Sequence, residues 1–137
     1  MMMVRCYLGP SSIEGLGVFA ATAIRKGALV RVHDSRFDVT YERDELGRVP
    51  AHFREFLERY THDHPRDADY LVLDCDEARF MNHANVPNVD LTNPERGVAA
   101  RDIAAGEELT CDYARVTGGR VVLRPSRHRI GQVMATA

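Results

Sequence analysis

Lysine is almost missing from this chain of 137 residues. Lys26 is the only one, and arginine supplies the other seventeen basic side chains. Such a chain offers almost no acceptor for lysine-directed modification of itself. Paired cysteines are missing too. Cys6, Cys75 and Cys111 are odd in number, and no two form a Cys-x-x-Cys pair, which excludes a zinc knuckle. Free thiols without a secretory leader suit a reducing compartment, and Met1–Pro10 lacks the long apolar core of a signal peptide. No stretch approaches the roughly 20 apolar residues of a membrane-spanning helix. Acidic residues are absent from Ala114–Ala137, where five arginines stand alone.

What is present describes one globular domain. The length matches a single folding unit with a core of its own, and the 45% hydrophobic fraction fits a soluble protein. A net charge of −2 argues against nucleic-acid binding by the domain as a whole. The charge is uneven, however: Asp34 to Glu77 holds thirteen acids against six arginines. That asymmetry fits an acidic groove for a basic partner with a basic tail beside it, and it also fits two solvated faces.

Val4–Leu8 alternates like a strand and Gly9-Pro10-Ser11-Ser12 breaks it. Glu14-Gly15-Leu16-Gly17 reads as a turn before a strand at Val18–Ala21. Ile24–Val30 and Ile103–Leu109 are similar phrases, each a glycine corner feeding an apolar strand. Val49, Phe53, Phe56, Leu57 and Tyr60 fall at helical spacing, so a helix is predicted over about Pro50–Tyr60 with Pro50 in its first turn. Strands are predicted at Tyr70–Asp74, Val98–Arg101 and Leu109–Cys111. Short strands with one inserted helix make a mainly β fold. His62-Asp63-His64 has the residue types of a zinc site but no third ligand at proper spacing. It reads as a solvated loop, and no metal is expected.

Two polar stretches stand out. Arg79-Phe80-Met81-Asn82-His83 runs on through Ala84-Asn85-Val86 to Pro87-Asn88, with three asparagines and a histidine in seven residues. Gly106-Glu107-Glu108-Leu109 runs on to Cys111, Asp112 and Tyr113. Neutral amides between apolar residues point to a folded polar pocket.

With Gly15-Leu16-Gly17-Val18-Phe19 ahead of them, these stretches resemble, in order, the motifs of the SET domain, the fold of most protein-lysine methyltransferases. The resemblance covers about Val4–Tyr113. It implies a β-clip-like fold of several small sheets with one short inserted helix, in which a C-terminal pseudoknot brings distant segments to one site. It places the SET domain at 1–114 and a basic tail at 115–137, partly disordered and a candidate lid, with Val121-Val122-Leu123 as its packed part. It implies protein-lysine N-methylation with S-adenosylmethionine as methyl donor. Gly15, Leu16 and Gly17 would lie against the amino-acid end of the donor. Asn82 would bind its methionine part, the His83 backbone its adenine edge, and Arg79 and Phe80 would brace the loop. Tyr113 is the expected catalytic side chain, Tyr70 a second active-site tyrosine, and Asn88 a fixture of the knot.

Cys111 occupies the position that governs how many methyl groups fit, and its small size implies room for di- or trimethylation. The chain departs from the family in having Ala84-Asn85 where Ser-Cys is common, and in having no zinc-bound cysteine segment after Tyr113. It looks like the short bacterial or viral members. The expected partner is a basic, lysine-bearing protein such as a histone, with phosphate contacts confined to Arg124, Arg127, His128 and Arg129. No membrane partner is expected, a homodimer is compatible with so short a domain, and the location would be cytoplasmic, or a host nucleus for an effector. The rival reading is a non-catalytic SET-like module that holds a basic peptide.

Overall fold

The computed structural model describes residues 1–116. The tail residues Val121–Leu123, Arg124, Arg127, His128 and Arg129 lie outside the described residues. Among the described residues, ten short strands form three sheets, with one α-helix and three single-turn helices between them in the chain. The first sheet holds β1 (Cys6–Pro10), β2 (Leu16–Ala20), β7 (Asn82–His83) and β10 (Glu108–Cys111), in the order β1-β2-β10-β7. The second holds β3 (Leu29–Val32), β8 (Val89–Asp90) and β9 (Arg96–Ala99), in the order β3-β9-β8. The third holds β4 (Val39–Glu42), β5 (Thr61–Asp63) and β6 (Tyr70–Leu73), in the order β4-β6-β5.

The predicted helix is α1 (Ala51–Tyr60). Pro50 is its N-cap, where its missing N–H costs nothing. Leu57 is its buried anchor, and Phe56, Tyr60 and Phe80 continue an aromatic ladder inward, with centroids 4.9 and 5.2 Å apart. Thr61 ends the helix by donating its hydroxyl to the Leu57 carbonyl at 2.6 Å.

Three expectations need correction. Gly9-Pro10 does not end β1, because Gly9 pairs with Gly17 and Pro10 with Leu16. The strand lies at a sheet edge, where a residue without an N–H is tolerated. For the same reason Leu16-Gly17 belongs to β2, and the turn is Ser11–Gly15, closed by the Ser11 N–H on the Gly15 carbonyl at 2.9 Å. Third, His62-Asp63 is not a solvated loop. It is β5, with His62 opposite Val72 and Asp63 opposite Leu71. The two similar glycine corners meet face to face. Ile24 and Ile103 exchange backbone hydrogen bonds at 2.8 Å each, and Gly27 and Gly106 turn their corners at φ of 83° and 82°.

The core is built by alternate residues of β2, β3, β9 and β10, with Ile24, Ile103, Met81, Val89 and Leu91 between them. β10 joins the motifs. It pairs antiparallel with β2 through Leu109↔Val18 and parallel with β7 through Thr110↔Asn82 and Cys111↔His83. Asn88 clamps it from the side. Its amide donates to the Glu108 carbonyl at 2.7 Å, and its amide oxygen accepts from the Thr110 N–H at 2.8 Å. Both bonds are side chain to backbone, so they hold the strand regardless of the side chains it carries.

Candidate active site

Asn82 is buried, and its NH2 group faces three acceptors: the Glu14 carbonyl at 2.9 Å, the Leu16 carbonyl at 3.0 Å and Glu108 Oε1 at 2.9 Å. One side chain thus ties the Ser11–Gly15 turn to β7 and β10. Its amide oxygen makes no bond to another described residue. Glu108 is held in turn by the Ser11 hydroxyl, at 2.8 and 2.9 Å. The space that a side chain on Gly17 would take is filled by this carboxylate: an added Cβ would clash with Glu108 Oε1 and meet Ser11 Cβ at 3.1 Å.

Gly15 is different. It sits at φ 48°, and only Arg59 Nη2, at 3.8 Å, approaches where its Cβ would be. Gly15 therefore leaves open space, whereas Gly17 makes room for a neighbour. Leu16 points outward and is 39% exposed. Substituting Gly17 with Ala pushes a held carboxylate off two donors and is expected to cost about 1–3 kcal/mol. Gly15→Ala meets only left-handed strain of roughly 1–2 kcal/mol. Urea unfolding should rank the larger loss at Gly17.

On β7 and the residue before it, side chains alternate. Asn82 faces the Gly15 turn, while Met81 faces a cavity on the other side, shared with Tyr60, His62, Asp74, Cys111 and Tyr113. Tyr113 stands where the two sides meet. Its hydroxyl donates to the Met81 carbonyl at 2.9 Å, and its N–H donates to His83 Nδ1 at 3.1 Å. Accepting at Nδ1 makes His83 the Nε2–H tautomer, and Nε2 lies 3.1 Å from the Asn85 side-chain oxygen. Burial, and next the neighbouring Cys111, push the Tyr113 phenol above its ordinary range, so it stays a neutral hydroxyl.

Arg79 also lines the cavity and donates its Nε–H to the Asp74 carbonyl at 3.0 Å. Phe80 packs edge-on against Tyr60. Both therefore brace the loop from beneath.

Cys111 is buried in the cavity wall, and burial pushes its thiol up to about 12. Because the folded value lies above the ordinary value of 9.0, the neutral thiol stabilises the fold fully below pH 9. That contribution is lost as pH rises from there towards 12. Cys111 in the native protein should react with iodoacetamide at pH 8 about a thousandfold more slowly than in urea, from its thiolate fraction alone. Mass spectrometry of labelled peptides reads this rate, and equal rates would contradict the burial.

Tyr70 is not among the residues that line this cavity. It opens β6 at the end paired with Glu42 and lies edge-on to His64, 6.4 Å between centroids. Asp74, just past the other end of β6, is what reaches the cavity. The second tyrosine in the wall is Tyr60, from the last turn of α1, which the sequence offers only as part of an apolar helix face. His62, Asp74 and Arg31 were missed as well. Charged and polar residues look solvated until strand pairing buries them. Among the described residues, no group of three His, Cys, Asp or Glu side chains could hold a metal ion.

The SET domain family model matches residues 15–114. Among solved structures, a Plasmodium falciparum protein provisionally named a histone methyltransferase shares the fold, with a TM-score of 0.57 at 22% identity over 82% of this chain and 95% of that one. Two structures of Chaetomium thermophilum Polycomb Repressive Complex 2 match at 27% identity over 82% of this chain. One is a humanized mutant bound to an inhibitor, with a TM-score of 0.59, and the other a mutated apo form, with a TM-score of 0.63. This chain spans only 15% of each of those two. A match that runs from Gly15 through the Asn82 loop to Tyr113 settles the relationship: the chain belongs to the SET domain family.

Proposed function

We propose that this chain is a protein-lysine N-methyltransferase that uses S-adenosylmethionine and acts on a basic, tail-like protein such as a histone. The single observation that carries the proposal is the junction at Tyr113. Its hydroxyl bonds the carbonyl of Met81, whose side chain faces a cavity, while the next residue, Asn82, binds the open Gly15 turn.

The residues present fit the donor. Gly15 leaves the space at its missing Cβ open, Asn82 keeps an amide oxygen able to accept from an ammonium, and Arg59, held near the same turn by Glu14 at 3.2 Å, has further N–H donors for a carboxylate. These are the complements of a zwitterionic amino-acid group. When bound, S-adenosylmethionine supplies an electrophilic methyl group on a sulfonium.

This chain's own groups would do the rest. Met81 and Cys111 form an apolar wall that excludes water around an incoming amine. A lysine amine, with a pKa near ~10.4 in water, must lose a proton before it can react, and the apolar wall, with Arg31, Arg59 and Arg79 outnumbering Asp74 around the same cavity, favours the neutral form. The Tyr113 hydroxyl orients that amine without adding charge, and positioning of this kind supplies much of the acceleration. The small Cys111 side chain leaves space for an amine that already carries methyl groups. The excess of acids over arginines between Asp34 and Glu77 favours a basic substrate.

The test is transfer of a radiolabelled methyl group from S-adenosylmethionine to a core histone mixture and to an array of lysine peptides. Labelled lysine, with di- or trimethyl products at long times, is the expected result. Donor and peptide binding without any transfer would favour the non-catalytic module instead.

A further inference from the structure

His62 lies on β5 with its side chain only 11% exposed. Its Nδ1 is 2.9 Å from the Asp63 carbonyl oxygen. A carbonyl only accepts, so Nδ1 carries the hydrogen. Its Nε2 is 2.8 Å from Arg31 Nη2. A guanidinium only donates, so Nε2 presents its lone pair. The two contacts together describe a neutral imidazole. Arg31 is itself buried, and the same Nη2 donates to Asp74 Oδ1 at 2.5 Å while Nη1 donates to the Pro94 carbonyl at 3.2 Å. Asp74 Oδ2 lies 3.4 Å from His62 Nε2. All three side chains line the cavity that Tyr113 and Cys111 share.

We propose that neutral His62 is a positioning residue for the reaction: it holds Arg31, and through it Asp74, as the floor of the substrate cavity, and protonating His62 dismantles that floor. The inference rests on the cavity being where the substrate amine reacts. Its physical basis is that a proton on Nε2 would point at an N–H of Arg31 across 2.8 Å. Two donors do not share that distance. The imidazolium must turn towards Asp74 Oδ2, and Arg31 must give up one of its two Nη2 partners.

The surrounding charges set the context. β3 supplies Arg31, and His33 follows directly after it, with Asp38 3.2 Å from His33. β5 itself carries Asp63, paired with Arg43 at 2.8 Å, and leads into His64, edge-on to His33. Arg59 and Arg79 stand on the other walls of the cavity. Asp74 feels opposing effects. Burial raises its carboxyl, the Arg31 guanidinium donating at 2.5 Å lowers it, and the N-terminal ammonium lies 3.7 Å away. His33 and His64 do not line the cavity. Among the described residues, His83, against the Tyr113 backbone, is the other histidine able to touch the reaction.

The test has two arms on the full chain. Histidine-ring 1H–15N correlation spectra should show the Nδ1–H tautomer for His62 at pH 8, and the Met81 methyl resonance should move with its titration. The Nε2–H tautomer, or a Met81 methyl that ignores the titration, would overturn the inference. The second arm is log(kcat/KM) against pH with the core histone mixture. The substrate ammonium alone gives about a tenfold fall per pH unit. The wild type should steepen to about a hundredfold per unit below the His62 titration, while His62→Gln, which keeps an acceptor for Arg31, should hold the tenfold slope. A steep limb that persists in His62→Gln assigns it to His83 and overturns the proposal. Absence of transfer at every pH from a protein with the expected tautomer and Met81 response would sink the functional reading and leave the floor standing.

Discussion

Phenylalanine in place of Tyr113 is expected to lower kcat by about 10²–10³-fold while leaving affinity for the methyl donor within about threefold. The substitution keeps the ring beside His83, 5.4 Å between centroids, and it keeps the backbone bond to His83 Nδ1. What it removes is one neutral hydroxyl where the Asn82 loop borders the cavity. The loss to the fold includes the donor to the Met81 carbonyl, at about 1 kcal/mol. Steady-state kinetics at saturating donor, checked by a single-turnover measurement that isolates methyl transfer from product release, would show the drop. An unchanged single-turnover rate would remove Tyr113 from the chemistry without touching the family assignment.

Alanine in place of Asn82 is expected to act on both the fold and the donor. The buried amide satisfies two carbonyls and one carboxylate oxygen at 2.9 to 3.0 Å. Removing it leaves Glu108 with Ser11 as its one side-chain donor among the described residues, and it frees the Gly15 turn from β7. Orphaned buried polar groups cost about 1–3 kcal/mol each, more for a charged one, so a total near 2–5 kcal/mol is expected from urea unfolding. Asn82→Asp separates the roles. It restores the size of the side chain but sets a second carboxylate 2.9 Å from Glu108, so stability and donor binding should both remain low at pH 8 and recover in part as the pH falls and the pair takes up a proton. A stable Asn82→Ala protein with wild-type donor affinity would contradict the role given to this residue.

Some of this was legible before any coordinates. Gly15 was legible from residue type as part of a turn and Asn88 through the family resemblance as a fixture of the knot; the folded chain gives the first a left-handed corner and the second a two-way amide clamp. Tyr113 was legible for another reason, since it closes an ordered set of motifs. The choice between Tyr60 and Tyr70 was not. It depends on where α1 stops and on β5 pairing with β6, a contact between segments whose local pattern is polar. His62-Asp63 read as solvent-facing because burial of a polar strand is decided by its partner, here Leu71 and Val72. Gly17 was legible as a close approach but not in its object, a carboxylate arriving from Glu108 more than ninety positions on. Pro10 looked like a strand breaker because edge position is a property of the sheet and not of the residue.

Convergence of the Gly15 turn, the Asn82 loop and Tyr113 on one donor is best tested by 15N-labelled protein titrated with S-adenosylmethionine. The expected result is that the backbone amides of Gly15, Leu16, Gly17, Asn82, His83 and Tyr113 shift together along a single saturation curve. Shifts confined to one of the three segments, or no shift at millimolar donor from a folded protein, would contradict it.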